Sequence, residues 1–266
     1  MNQTHHLILN KKFLIFLFLG SLLLRSLFFL YFTRHGTNAW AMFDSNQYHA
    51  LACTIADSKG ISLDAGQPQY YRLPGYPVFL AGCYTLFGQS PLAALWVQLV
   101  LASLIPLLVF VLCSILLHSL WISRTAAIIS CIHPGFILYA GMLLTESLAA
   151  LLLLFFFIFF FHRRATWHLF AAGMFLGLAS LVRPVGHYVL VLALVTLFAW
   201  RPQTLLHKAS ALILGWLLPV APWLVRNFLL TGAFFFHSLP GLHFCQFLAA
   251  PIIVQRDHCS YQTARA

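Results

Sequence analysis

Apolar stretches long enough to cross a lipid bilayer recur along almost the whole chain. The first runs from Phe13 to about Phe32, and the others cover about 91–117, 125–142, 147–161, 167–181, 185–200 and 209–225. Inside hydrocarbon only a helix or a closed barrel satisfies every backbone hydrogen-bonding group, and uninterrupted Leu and Phe runs lack the alternation of barrel strands. The sequence therefore predicts an all-α, polytopic integral membrane protein with about seven transmembrane helices.

Composition excludes several classes of protein. Charged residues make up 8% of the chain, whereas soluble domains carry about 25%. The formal net charge is +10, but the basic residues are scattered singly, so no nucleic-acid partner is expected. The cysteines show no C-x-x-C pair and the histidines no H-E-x-x-H cluster, which argues against a zinc site and a disulfide framework. We expect neither a metal nor a cofactor.

The distribution of charge predicts an orientation. With the N-terminus inside, the basic residues of the short connections fall on the cytoplasmic side, in agreement with the positive-inside rule. The same orientation places every carboxylate of the chain on the outer side: Asp44, Asp57, Asp64, Glu146 and Asp257. The chemistry is therefore expected at the outer surface.

The first outer loop, 34–77, is expected to contain an interfacial helix over 45–59. Asp44 followed by Gln47 has the pattern of a capping box, and Gly60 suits the position after a helix. An apolar face at helical spacing predicts that the helix lies on the bilayer surface; it consists of Tyr48, Leu51, Ala52 and Ile55. Asp44 is then a cap, a reactive carboxylate, or both, since the positive end of a helix dipole keeps a carboxylate ionised.

Two further charged residues stand at the edges of apolar segments. Arg72 lies in a turn rich in Tyr and Pro, 70–77, where it would either bind phosphate in a bidentate way or anchor the turn at the interface. Glu146 stands at the start of a span. An ionisable group at the edge of hydrocarbon is a functional candidate, and the alternative is a helix-start residue favoured by the dipole.

Arg183 and Arg226 each mark an outer helix end beside proline. Either arginine would meet a lipid phosphate in a functional site or an ordinary headgroup. Arg226 is the better candidate, because Asn227 adds hydrogen-bonding capacity next to it.

In chain order, these stretches resemble the motifs of polytopic glycosyltransferases with the GT-C fold, in particular the bacterial set similar to dolichyl-phosphate-mannose protein mannosyltransferases (family 39). The motifs are Asp-x-x-x-Tyr at Asp44 and Tyr48, Arg-x-Pro-Gly-Tyr-Pro from Arg72, Leu-Thr-Glu at Glu146, Leu-x-Arg-Pro at Arg183 and Pro-Trp-x-x-Arg-Asn at Arg226. No single motif is specific, and the resemblance lies in their order and spacing over residues 13–240.

The resemblance implies transfer of a sugar from a polyprenyl-phosphate carrier to a lipid, glycan or protein acceptor on the outer, periplasmic face of the bacterial inner membrane. It implies that Asp44 is the catalytic base and that Glu146 and Tyr48 orient the acceptor. The candidates for the donor phosphate are Arg72, Arg226 and Arg183.

The resemblance also predicts the division of the chain. A GT-C-like transmembrane catalytic domain is expected over 1–228, and 229–266 is expected to be an outer-face segment. Relatives usually continue beyond the point that corresponds to Ala266, so a truncated member is expected. The alternatives are a non-catalytic membrane protein that binds the lipid carrier and a transporter, although transporters usually place polar groups at mid-membrane.

Overall fold

Helices form all the regular structure that the computed structural model describes, which covers residues 11–35, 44–62, 68–162, 165–200, 203–238, 244 and 251–252. Within these ranges the only β-type contact is an isolated bridge between Ser62 and Pro68. The all-α prediction is confirmed. The helices are α1 (Lys11–Arg34), α2 (Ser45–Ala56), α3 (Gly75–Phe87), α4 (Pro91–Ala102), α5 (Ile105–Leu117), α6 (Leu120–Ile132), α7 (Pro134–Leu138), α8 (Glu146–His162), α9 (Thr166–Val182), α10 (Val185–Trp200) and α11 (Leu205–Thr231).

In the described part of the chain, three segments are long and apolar enough to cross a bilayer: α1, the run Pro91–Leu117 formed by α4 and α5, and α11. A fourth arises if α6 and the segment Pro134–Gly141, which meet at a bend of 54°, form one span. The predicted count of about seven spans is therefore not confirmed. Three of the predicted spans fold as the shorter apolar helices α8, α9 and α10.

The bend after α6 follows from Pro134. Proline disfavours the helical conformation in the residue before it, and His133 is accordingly extended, with φ −63° and ψ 122°. The predicted continuous span 125–142 is thus broken near its middle.

α9 packs against α11 through glycines on both helices. On α9 the glycines follow the spacing Gly-x-x-x-Gly at Gly173 and Gly177. A Cβ on Gly173 would lie 2.2 Å from the carbonyl oxygen of Leu212. A Cβ on Gly215 of α11 would lie 2.1 Å from the carbonyl oxygen of Phe170. The two backbones can approach this closely only because these positions lack side chains, which is a common way of packing membrane helices.

Helix α2 lies against α3, and Tyr48, Leu51 and Ala52 of the apolar face predicted to lie on the bilayer are instead buried within the protein. The helix ends at Ala56 rather than at the predicted Lys59. Ser58 takes a left-handed conformation with φ 59°, which a continuing helix cannot accommodate.

α1 carries a buried arginine in the middle of its span. Arg25 has no exposed surface, and its Nη1 donates to the carbonyl and the hydroxyl of Ser21. Nε and Nη2 of Arg25 are buried without a hydrogen-bond partner among the described residues. The charge faces the protein interior, as expected for an ionised group at membrane depth.

The predicted outer-face segment, 229–266, begins in the last turn of α11. The structure describes its residues 229–238, 244 and 251–252. Nε1 of Trp223 donates to the carbonyl oxygen of Phe236 at 2.6 Å, and Nδ2 of Asn227 donates to that of Phe235 at 3.1 Å. The backbone N–H of Ser238 donates to the carbonyl of Tyr70 at 3.3 Å. This segment therefore folds back onto the first outer loop.

The contact between α9 and α11 makes Gly215→Ala a test of the fold. The added methyl meets backbone atoms that cannot rotate away, and we expect the free energy of unfolding to fall by about 1–3 kcal/mol. Equilibrium unfolding in mixed detergent micelles would measure it. Gly20→Ala is the matched control, because a Cβ on Gly20 in α1 meets nothing within 4 Å. Equal stability of the two variants would contradict the glycine-mediated contact.

Candidate functional site

Two ion pairs form on elements that pack next to one another, since a Cβ on Gly75 after the Arg72 turn would lie 2.7 Å from the backbone of Leu181 at the end of α9. One joins Asp44 at the start of α2 to Arg72 in the turn before α3, and the other joins Glu146 at the start of α8 to Arg183 at the end of α9. Burial raises the pKa of Tyr48, and the four charged groups of both pairs also act on it. The fold thus brings five of the six predicted site residues together.

The pair between Asp44 and Arg72 is bidentate. Nη1 of Arg72 donates to Oδ2 of Asp44 at 2.9 Å, and Nη2 donates to Oδ1 at 2.5 Å. Gln47 holds the other edge of the guanidinium, because its Oε1 accepts from Nε at 2.9 Å and from Nη2 at 2.8 Å. The Arg72 side chain is 14% exposed and that of Asp44 47%. The guanidinium is therefore fixed on two edges while the carboxylate stays within reach of solvent.

The predicted capping box at the start of α2 is wrong. Asp44 occupies the cap position and its carbonyl accepts from the backbone N–H groups of Gln47 and Tyr48, but its carboxylate makes no cap hydrogen bond. The side chains of Asp44 and Gln47 both turn to Arg72 instead. A charge-assisted, bidentate contact is stronger than a hydrogen bond to a neutral backbone N–H, so the arginine takes both capping side chains.

Aromatic rings surround the Arg72 guanidinium. Its Cζ lies 5.4 Å from the centre of the Tyr48 ring and 5.8 Å from that of Tyr71, which is within the range of cation–π attraction. Burial alone would lower the pKa of Arg72, but the hydrogen bonds and charge of Asp44 outweigh this effect and raise the pKa above its usual value. Arg72 is a permanent cation at this site.

The second pair leaves one carboxylate oxygen unused. Oε1 of Glu146 accepts from Nη1 of Arg183 at 2.5 Å, and the same nitrogen donates to Oγ1 of Thr145 at 3.1 Å. Oε2 of Glu146 is buried and has no hydrogen-bond partner among the described residues. Buried polar atoms are nearly always satisfied, so this oxygen is suited to accept a hydrogen bond from a bound hydroxyl.

Gln98 supports the site and was missed by the sequence analysis. Its Nε2 donates to the carbonyls of Tyr139, Ala140 and Met142 at 3.2, 3.0 and 2.7 Å. Its Oε1 accepts from the hydroxyl of Tyr76 at 2.8 Å, and the Tyr76 ring packs edge-on against Tyr48. The sequence signal was an amide inside an apolar span, which must find partners within the protein.

Arg226 lies within α11, which continues to Thr231, and not at the predicted helix end. Its Nη2 donates to the carbonyl of Ile61 at 3.1 Å and its Nη1 to that of Gln69 at 3.2 Å. Its Cζ lies over the ring of Trp223, 4.8 Å from the centre. Arg226 therefore connects α11 to the residues on either side of the segment 62–68. The second of these residues, Gln69, lies three positions before Arg72.

The site consists of carboxylates, guanidiniums, amides and phenols. In the ranges that the structure covers, no group of three or more His, Cys, Asp or Glu residues is placed to hold a metal ion. No family model, no curated protein and no solved structure matches the chain.

Replacing Gln98 by Leu tests its supporting role. The change removes the donor that Gln98 provides to the carbonyl of Ala140 and the acceptor of the Tyr76 hydroxyl, whereas the carbonyls of Tyr139 and Met142 keep backbone donors. Each unsatisfied buried group costs about 1–3 kcal/mol. We expect a clear loss of unfolding free energy and faster amide exchange in residues 139–145. Gln89→Leu is the matched control, because the Gln89 side chain makes only an exposed contact with Asp57 among the described hydrogen bonds. A Gln98→Leu protein as stable as the control would contradict this role.

Arg226→Lys tests the closure of the loop. Lysine keeps the charge but not the planar fork that reaches two carbonyls. We expect about tenfold faster hydrogen exchange at the Gln69 amide, which corresponds to loss of about 1.5 kcal/mol of charge-assisted hydrogen bonding. Arg34→Lys, at the exposed end of α1, should leave that amide unchanged. Equal exchange in both variants would show that Arg226 does not close the loop.

Proposed function

We propose that the protein is a membrane glycosyltransferase, which transfers a sugar from a polyprenyl-phosphate-linked donor to a lipid, glycan or protein acceptor on the outer face of the membrane. The observation that carries the proposal is the bidentate contact of Arg72 with Asp44 beside Tyr48 and the second ion pair. Residues from separate motifs of the GT-C resemblance thus lie at one site. Three or four apolar helices that could span a membrane agree with a lipid-linked substrate.

Asp44 is the proposed catalytic base. The acceptor hydroxyl forms the new bond to the anomeric carbon, and its proton passes to the Asp44 carboxylate. The bond between the anomeric carbon and the phosphate oxygen breaks, and its electron pair leaves with the phosphate. A carboxylate at 47% exposure is accessible to an acceptor.

Arginine stabilises the charge that develops on the leaving phosphate. The planar guanidinium of Arg72 binds phosphate oxygens in pairs, and the Tyr48 and Tyr71 rings beside it form a surface suited to the membrane interface. Arg183 and Arg226 are the further candidates for the donor phosphate. Their described contacts, with Glu146 for one and with loop carbonyls for the other, give each a positioning role as well.

Glu146 and Tyr48 are proposed to orient the acceptor. The buried Oε2 of Glu146 offers an acceptor position to a sugar or side-chain hydroxyl. Tyr48 is neutral because burial raises its pKa, so its hydroxyl can donate a hydrogen bond to an acceptor oxygen. The two residues therefore provide complementary contacts.

We place this site on the periplasmic side of a bacterial inner membrane, within a GT-C-like domain over 1–228. With the N-terminus inside and the seven spans predicted from the sequence, all carboxylates fall on one side and the basic residues of short connections fall on the other. A cysteine accessibility assay from either side of the membrane would test the orientation.

The second candidate function is non-catalytic binding of the lipid carrier. It is favoured by the pairing of Asp44, whose two oxygens both accept hydrogen bonds from Arg72 and so compete with an incoming proton. Under this function the native protein would bind phosphate lipids through Arg72 and transfer nothing.

Asp44→Asn tests the proposed base. In liposomes with a polyprenyl-phosphate sugar and a mixed pool of acceptors, we expect transfer to fall at least about 100-fold, the usual contribution of a positioned base. Asp57→Asn is the control, because Asp57 is an exposed acid of the same loop that pairs with Lys59 and should retain full transfer. Unchanged turnover in Asp44→Asn would show that Asp44 is not the base. Binding of the carrier without transfer by the native chain would favour the second candidate function.

A further inference from the structure

We propose that the donor phosphate and Asp44 compete for the same edge of Arg72, so that donor binding itself releases the base, and that Gln47 holds Arg72 in place during this exchange. The proposal rests on the proposed function. It assigns a positioning role to Gln47 and an order to the reaction.

Both bidentate edges of the Arg72 guanidinium are occupied. The Nη1–Nη2 edge of its guanidinium binds the Asp44 carboxylate, and the Nε–Nη2 edge binds the amide oxygen of Gln47. Phosphate binds arginine through one such edge with two parallel hydrogen bonds. A donor phosphate that binds Arg72 in this way must therefore displace one of the two side chains.

Charge decides which side chain is displaced. A phosphodiester carries one negative charge, as does Asp44, so replacing the carboxylate by phosphate keeps one anion on one cation. Displacing the neutral Gln47 instead would place two anions on the same guanidinium, and like charges at such a distance repel strongly. Asp44 can also be hydrated when it leaves Arg72, because its side chain is already 47% exposed.

The exchange changes what Asp44 can do. While Asp44 is paired, both of its oxygens accept hydrogen bonds from Arg72 and are engaged by the guanidinium. Once phosphate takes this edge, both oxygens are free to receive the proton of an acceptor hydroxyl. The base therefore becomes available only when a donor is present beside it.

Gln47 gives the arginine a fixed position through the exchange. It lies three residues after Asp44, so both side chains leave the first turn of α2 and reach the same guanidinium. When Asp44 leaves, Gln47 still accepts from Nε and Nη2, and the rings of Tyr48 and Tyr71 still flank the cation. Gln47 acts through Arg72 rather than on the substrate.

The exchange can be tested by the binding of farnesyl phosphate in the form of its methyl phosphodiester, which carries one negative charge like the donor, to the full chain in nanodiscs. Asp44→Asn removes the charged competitor. If Asp44 occupies Arg72 in about nine of ten unliganded molecules, its removal makes all of them competent to bind, and we expect binding to tighten about tenfold. Arg72→Lys should weaken binding. Equal or weaker binding by Asp44→Asn, or no binding by any variant, would overturn the exchange.

A transfer assay on the same preparations separates this proposal from the proposed function. Tighter binding by Asp44→Asn with no transfer by the native chain would support the exchange and sink the transferase. Unchanged binding together with transfer lost in Asp44→Asn would sink the exchange and leave the transferase standing.

The role of Gln47 needs a double-mutant cycle. We expect Gln47→Leu to weaken binding of the same phosphodiester about fivefold and to have no further effect in an Arg72→Lys chain, which lacks the Nε–H donor. Gln47→Glu should weaken binding more than Gln47→Leu, because it adds a second anion to Arg72. Asn46→Leu, at an exposed neighbouring position, is the matched control. A Gln47→Leu effect that persists in Arg72→Lys would show that Gln47 acts on the fold and not through Arg72.

Discussion

The contact of Arg72 with Asp44 and Gln47 is the interaction on which the rest of the site depends. It joins the beginning of α2 to the turn that precedes α3, and the Tyr48 ring lies 5.4 Å from the guanidinium. The Arg72 side chain is mostly buried, and Asp44 supplies the anion that offsets the cost of holding its charge away from water. The need to satisfy this one cation therefore shapes the first outer loop.

The helical class could be predicted from the sequence, whereas the number of spans could not. Long apolar runs force the backbone to satisfy itself, which leaves helices as the solution. The number of spans depends on where each helix bends and ends. Pro134 breaks one predicted span, and α8, α9 and α10 are shorter than the long helices although their composition is equally apolar. Hydropathy measures composition and does not measure these lengths.

A local sequence pattern gives a wrong prediction where a distant residue competes for the same side chains. Asp44 and Gln47 have the pattern of a capping box, yet an arginine 28 positions away from Asp44 takes both side chains. Likewise Gly173 and Gly177 have a recognisable spacing, but nothing local indicates that Gly215 lies opposite. Gln98 could have been found, since an amide in an apolar span requires internal partners.

The contacts of Arg226 have a consequence for how the protein is made. The first outer loop leaves the ribosome early, but the carbonyls of Ile61 and Gln69 at its base receive their hydrogen bonds from a residue 165 and 157 positions later. Helix α11 must be synthesised and in place before those bonds can form. During biosynthesis the loop around Arg72 therefore exists without this contact until helix α11 has emerged.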